Sequence, residues 1–153
     1  MKLNRTILRE KIMTILYQIY IYRKDSIDYK VEEVKKENIE IENEYANNII
    51  DGVLSKEKDL DEIINKYMNN WTVNRLGNID QAIFRMSAYE LLYSDTPKIV
   101  SINEGIELSK KFSDEKVTKL LNGVLDKIYE NEVSNEWSIK CYWYKFIFKR
   151  IIY

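Results

Sequence analysis

The sequence predicts an all-α protein of about seven helices in two small bundles, followed by an extra aromatic and basic C-terminal segment. Three observations lead there. Only four glycines and one proline interrupt 153 residues, so few positions force a break or supply the tight turns that sheets need. Apolar side chains recur at three- and four-residue spacing through most of the chain. Side chains able to cap a helix stand at the starts of the later segments. The length suits one average domain, or two small helical subdomains sharing a core, and leaves no room for a second catalytic domain.

The first helix is expected over about 4–23, where Ile7, Leu8, Ile12, Ile15, Leu16, Ile19 and Tyr20 form one apolar stripe. A short helix follows over about 29–36. A third, over about 40–54, carries Ile41, Tyr45, Ile49, Ile50 and Val53, with Gly52 hinting at its end. A fourth, over about 56–68, repeats the pattern with Leu60, Ile63, Ile64 and Tyr67. Asn69-Asn70 then interrupts the pattern, and three further helices are expected over about 78–93, 101–112 and 114–129.

Each of these last three begins beside a capping side chain. Asp80 or Asn78 serves the first, Ser101 with Glu104 reads as a capping box for the second, and the Ser113 hydroxyl offers a cap to the third. Asp95-Thr96-Pro97 forces the turn between the first two. The resulting organisation is a domain over residues 1–133, with subdomains of about 1–70 and 71–133, and an extension over 134–153.

Composition excludes several chemistries. The chain has no histidine and a single cysteine, Cys141, so zinc or iron sites of the Cys/His type and an internal disulfide cannot be assembled. Serines find no histidine base, and no glycine-rich phosphate loop follows a strand. Carboxylate pairs such as Asp59 and Glu62 read as a solvated helix face rather than acid–base machinery. The expectation is a protein that is not an enzyme and needs no cofactor. With no secretory leader and no apolar run long enough to span a bilayer, a reducing cytoplasm is the expected setting.

A net charge of −1 conceals segregation along the chain. Residues 1–24 carry Lys2, Arg5, Arg9, Lys11, Arg23 and Lys24 against Glu10 alone. Residues 25–62 hold thirteen acids against five lysines, and residues 137–153 hold Lys140, Lys145, Lys149 and Arg150 with no acid. Such a dipole suits a polyanion bound at one face while another face repels it. Lys2, Arg5 and Arg9, at three- and four-residue spacing, are expected on one exposed ridge at a helix N-terminus, where the dipole also favours phosphate. The alternative is a ridge that serves only solubility.

Three submotifs between Trp71 and Lys127 carry a family resemblance. They are Asn78-Ile79-Asp80-Gln81-Ala82-Ile83 running into Arg85 and Ala88-Tyr89-Glu90-Leu91-Leu92, then Ser101-Ile102-Asn103-Glu104 with Ile106-Glu107-Leu108, then Asn122-Gly123-Val124-Leu125-Asp126-Lys127. In order, spacing and identity this stretch resembles the NusB family of transcription antitermination factors. Arg9-Glu10-Lys11 followed by Leu16-Tyr17-Gln18 is similar to the family's opening helix.

The resemblance implies RNA binding, with the boxA element of ribosomal RNA operon transcripts as ligand. It implies NusE, a small-subunit ribosomal protein, as partner, within an RNA polymerase antitermination complex. Arg5 and Arg9 match two arginines of the family's basic opening segment, whereas Thr6 and Ile7 depart from it. The turn and helix start around Lys110-Lys111-Phe112 are a second place that the family sets against RNA. There Phe112 either stacks on a base or closes its helix as a core residue, and Lys116 and Lys119 can meet phosphates. Tyr17 either packs between helices or reaches the strand beside Arg9, and Gln18 is a candidate for a base-edge hydrogen bond. Asp80 and Arg85 are either a structural pair or part of the NusE surface. Asn122 is expected to bond backbone groups between helices, and Gly123 to allow close helix approach.

The segment 137–153, WSIKCYWYKFIFKRIIY, has no counterpart in the resemblance. It could bind RNA, lie on an anionic membrane, pack on its own body or a second chain, or do nothing; it is too short and too charged to span a bilayer. A homodimer stays open. Two rival readings remain: an interaction module that uses the acidic surface without RNA specificity, and an accessory domain like those of some RNA methyltransferases. The missing methyl-donor fold argues against the second.

Overall fold

A computed structural model describes residues 4–133; Lys2 and the segment 134–153 lie outside the described residues. The expected all-α class is the observed one. The helices are α1 (Arg5–Lys24), α2 (Val31–Asn38), α3 (Glu44–Ser55), α4 (Glu57–Lys66), α5 (Asn78–Tyr93), α6 (Lys98–Phe112) and α7 (Glu115–Ile128). A short 3-10 turn at Val73–Arg75 precedes α5, and a π-helical turn at Tyr129–Val133 follows α7. Among the described residues no helix is long and apolar enough to cross a membrane.

The helix that organises the rest is α5. It packs against α1, α3, α4, α6 and α7, and it buries Ala82, Ile83, Phe84, Met86, Ala88 and Leu91 along with polar groups. A helix apolar on nearly every side has to be surrounded, which is why one core joins residues from both expected bundles. Small residues set two close approaches. A Cβ on Gly105 would stand 2.6 Å from Ser87 Oγ, so α6 lies tight on α5. A Cβ on Gly52 would overlap the Tyr89 ring, so α3 meets α5 through a ring laid over glycine.

Helix ends follow local chemistry, with four departures from expectation. The α3 helix starts later than expected, because Asn43 caps it by accepting from the Ala46 amide at 3.0 Å, and Ile41 stays 67% exposed in the preceding loop. The start of α6 is Lys98, not Ser101: the Pro97 carbonyl accepts from Ser101 N at 3.0 Å, and Ser101 is buried inside the helix rather than capping it. Asp114, not Ser113, caps α7, accepting from Val117 N at 2.9 Å. Gly77 precedes α5 with no side-chain cap, so neither Asn78 nor Asp80 fills that role. The break at Asn69-Asn70 is real: both residues adopt left-handed backbone, φ 37° and 62°, a conformation asparagine tolerates better than most.

Candidate nucleic-acid interface

Asn4 caps α1 by accepting from Thr6 N at 3.0 Å, which fixes the start of the helix. Three side-chain hydrogen bonds hold α1 alongside α6. Thr6 Oγ1 donates to Glu104 Oε2 at 3.2 Å, Arg9 Nη1 meets the same oxygen at 3.2 Å, and Lys111 Nζ reaches Glu10 at 2.6 Å. Leu108 adds an apolar wall to the resulting cleft of about 390 Å³.

The expected ridge of Lys2, Arg5 and Arg9 is corrected by this arrangement. Arg9 turns inward and is 4% exposed, with Nε and Nη2 on the two oxygens of Glu90 at 3.0 and 2.5 Å. Glu90 also accepts from Tyr45 Oη at 2.9 Å and Thr96 Oγ1 at 3.0 Å, so one buried carboxylate gathers α1, α3, α5 and the turn before α6. Burial disfavours the Arg9 charge, yet the bonds and field of Glu90 outweigh it and raise the Arg9 pKa. Burial first, then the Glu90 charge, raise the Tyr45 pKa and keep that hydroxyl protonated as a donor.

Arg5 is exposed and makes no ion pair among the described residues; its guanidinium carbon lies 4.7 Å from the centre of the Tyr45 ring. At the end of α6, Phe112 is 37% exposed with Lys111 Nζ 5.3 Å from its ring centre, so it lies at the surface rather than in the core. Lys116 is exposed in the first turn of α7 without an ion pair among the described residues, and Lys119 is held by Glu115 at 3.0 Å. Tyr17 is half-buried and follows Glu10 by two turns on one side of α1. Gln18 points elsewhere: its carbonyl accepts from Asn38 Nδ2 at 2.7 Å, which ties α1 to α2 and removes it from this face.

The pairing of Asp80 with Arg85 is also corrected. Arg85 is 2% exposed and grips Asp61 of α4 through Nε at 2.7 Å and Nη2 at 2.9 Å, with Asn74 and Gln81 accepting further bonds. Burial works against its charge, but the bond to Asp61 prevails and the pKa is raised. Buried beneath α4, Arg85 is an internal clasp between α5 and α4. Asp80, half-buried in the first turn of α5, stays open to a partner. Asn122 and Gly123 are both exposed, and nothing approaches a Cβ on Gly123 within 4 Å, so neither mediates helix packing.

The sequence carried a signal for Glu90, an acid within the apolar run Ala88–Leu92, whose burial demands a cation. It carried none for Tyr45 beneath Arg5, because that contact joins residues forty positions apart.

An all-α body with Lys110 and Lys111 at an α1–α6 cleft and the exposed ring of Phe112 beside them is the class of protein that these features define. The model of the family described as the NusB family matches residues 6–130. The transcription antitermination protein NusB of Macrococcus caseolyticus is 39% identical over 132 residues, covering 85% of this chain and 99% of the relative. The Bacillus subtilis protein of the same name is 40% identical over 130 residues, covering 82% and 95%. Among solved structures, T. maritima NusB superposes with a TM-score of 0.74 at 30% identity, covering 86% of this chain and 94% of that one. A chain from a crystal structure of antitermination factors NusB and NusE in complex with dsRNA gives 0.67 at 29% identity, covering 82% and 96%. The chain belongs to the NusB family.

Proposed function

We propose that this chain is a transcription antitermination factor that binds the boxA element of ribosomal RNA transcripts together with NusE. The observation that carries the RNA face is the clamp between α1 and α6. Glu104 bonded to Thr6 and Arg9, and Glu10 bonded to Lys111, bring Lys110 and Lys111 to one cleft, with exposed Phe112 next to Lys111 in the chain and exposed Arg5 next to Thr6. The lysines there pair with exposed or half-exposed acids, and such pairs are worth about 0–1 kcal/mol, so phosphates can take the acids' place. Arg5, Phe112, Lys116 and Lys119 are the RNA-facing residues, with Tyr17 at the far end. Arg9 supports them from beneath, and Asp80 belongs to the NusE side. Lysine and arginine contacts supply salt-dependent affinity, and a few stacked or hydrogen-bonded bases supply sequence preference.

Residues 1–133 act as the RNA-binding domain in this reading, with 134–153 as an extension without an assigned role. The action is binding alone, and it takes place in the cytoplasm within the polymerase complex. The test is a titration of boxA RNA and a scrambled control, with and without NusE, at two salt concentrations. Tighter binding of boxA that weakens with salt and strengthens with NusE is expected. Equal binding of both RNAs under all conditions would refute it.

A further inference from the structure

The first turn of α1 separates two depressions. Thr6 and Arg9 face the cleft already described, while Arg5 faces a second cavity of about 410 Å³ between α3 and α5, lined by Tyr45, Tyr89, Tyr93, Asn48 and Thr96. Its rings are held in place. Tyr45 is anchored through its hydroxyl to Glu90, Tyr89 lies over Gly52, and Tyr93 stands 5.2 Å from Tyr89 at 41°. Glu44, Asp51 and Asp95 complete the rim, with Asp51 held by Lys35 at 2.7 Å.

We propose that this second cleft receives one unpaired base of the bound RNA, stacked on the guanidinium of Arg5, with preference for a base that carries an exocyclic amino group. The inference rests on the RNA reading above. Charge and shape select the occupant. The rings of Tyr45 and Tyr93 already carry cations, Arg5 at 4.7 Å and Lys56 at 4.9 Å, so a lysine or arginine of a protein partner would be repelled beside them. Acids on the rim repel a phosphate. A neutral planar ring suffers neither penalty: it can lie on the guanidinium that stands over Tyr45, and its amino group can donate to Glu44 or Asp95. Arg5 and Thr6 are consecutive, so a strand crossing the first turn of α1 passes from one cleft into the other. Arg5 is then a stacking surface rather than a phosphate contact.

The experiment uses the full chain with NusE and boxA RNAs extended at either end, carrying the fluorescent base 2-aminopurine at one position at a time. Binding to the wild type should quench one position strongly. Arg5→Lys keeps the charge and loses the plane; it should abolish that quench and weaken binding about tenfold, the scale of one stacked base, with an unchanged salt slope. Glu44→Gln with Asp95→Asn should erase the preference for an amino-bearing base over uracil at that position. All three sites are exposed, and circular dichroism should show an intact helical fold. Arg5→Lys binding like the wild type, with no quenched position that depends on Arg5, would overturn the proposal while leaving the RNA reading in place. Loss of NusE affinity without any change in quench would hand the cleft to protein and equally overturn it. Absence of RNA binding by the wild-type complex would remove the functional reading, and this proposal with it.

Discussion

Arg9 of α1 and Glu90 of α5 are joined by two hydrogen bonds, 3.0 and 2.5 Å, at a site where both side chains are almost wholly buried. The pair lies directly beneath the proposed RNA face, and it decides how that face responds to mutation. A residue that reads as a phosphate contact from the sequence is here part of the frame.

Arg9→Ala is therefore expected to act on stability. Removing one partner of a buried pair strands the other charge, at a cost of about 3–5 kcal/mol. Urea unfolding should show that loss, and adding Glu90→Gln to the variant should recover part of it. A stable Arg9→Ala protein with weakened RNA binding would restore Arg9 to the RNA face.

Glycine substitutions should have opposite signs at two helical sites. Gly105→Ala places a methyl 2.6 Å from Ser87 Oγ in the α5–α6 contact, and overpacking of this kind costs about 1–3 kcal/mol. Gly123→Ala meets open space on an exposed face of α7 and should stabilise by about 0.5–1 kcal/mol through helix propensity. Thermal denaturation of the two variants decides; equal shifts in one direction would contradict the packing described.

Lys116 sits in the first turn of α7, where the helix dipole favours an acid over a cation. Lys116→Glu should accordingly leave thermal stability equal or slightly raised while clearly reducing RNA affinity through repulsion. Retained RNA affinity with lowered stability would place the RNA on another surface.

Alkaline pH should loosen the fold through Tyr20. Burial pushes its pKa up to about 12, against the opposing pull of Arg85, from an ordinary value of 10.0. Below pH 10 folded and unfolded chains both keep the proton, so the contribution is whole. Between about pH 10 and 12 the unfolded chain releases its proton first, and stability falls as pH rises. Melting temperatures from pH 8 to 11.5 should drop more steeply for the wild type than for Tyr20→Phe; parallel curves would count against the assignment.

Helix positions were legible because periodicity, capping side chains and the Asn69-Asn70 break are local properties. Starts were less so. Ser101 with Glu104 has the pattern of a capping box, yet Pro97 lets α6 begin a turn earlier and carries Ser101 inside. Lys116 could be placed on an exposed helix face from spacing, whereas Phe112 stayed open between surface and core, and its 37% exposure decides for the surface. Gln18 could not be placed either, because its partner Asn38 lies on α2.

The sequence by itself determined the all-α class, the seven helices and the membership of the family, since these follow from spacing and residue identity along the chain. Only the tertiary structure decided which arginines face outward. Arg5 and Arg9 share one side of α1, and helical periodicity treats them alike. One turn of helix separates them: at Arg5 the side chain lies over the Tyr45 ring and stays exposed, whereas at Arg9 it is covered by α5 and α6, where Glu90 and Glu104 wait. Arg85 follows the same logic, because α4 and Asp61 cover it. Periodicity states which side of a helix a residue occupies, and the depth of what covers that side belongs to the packing of distant segments.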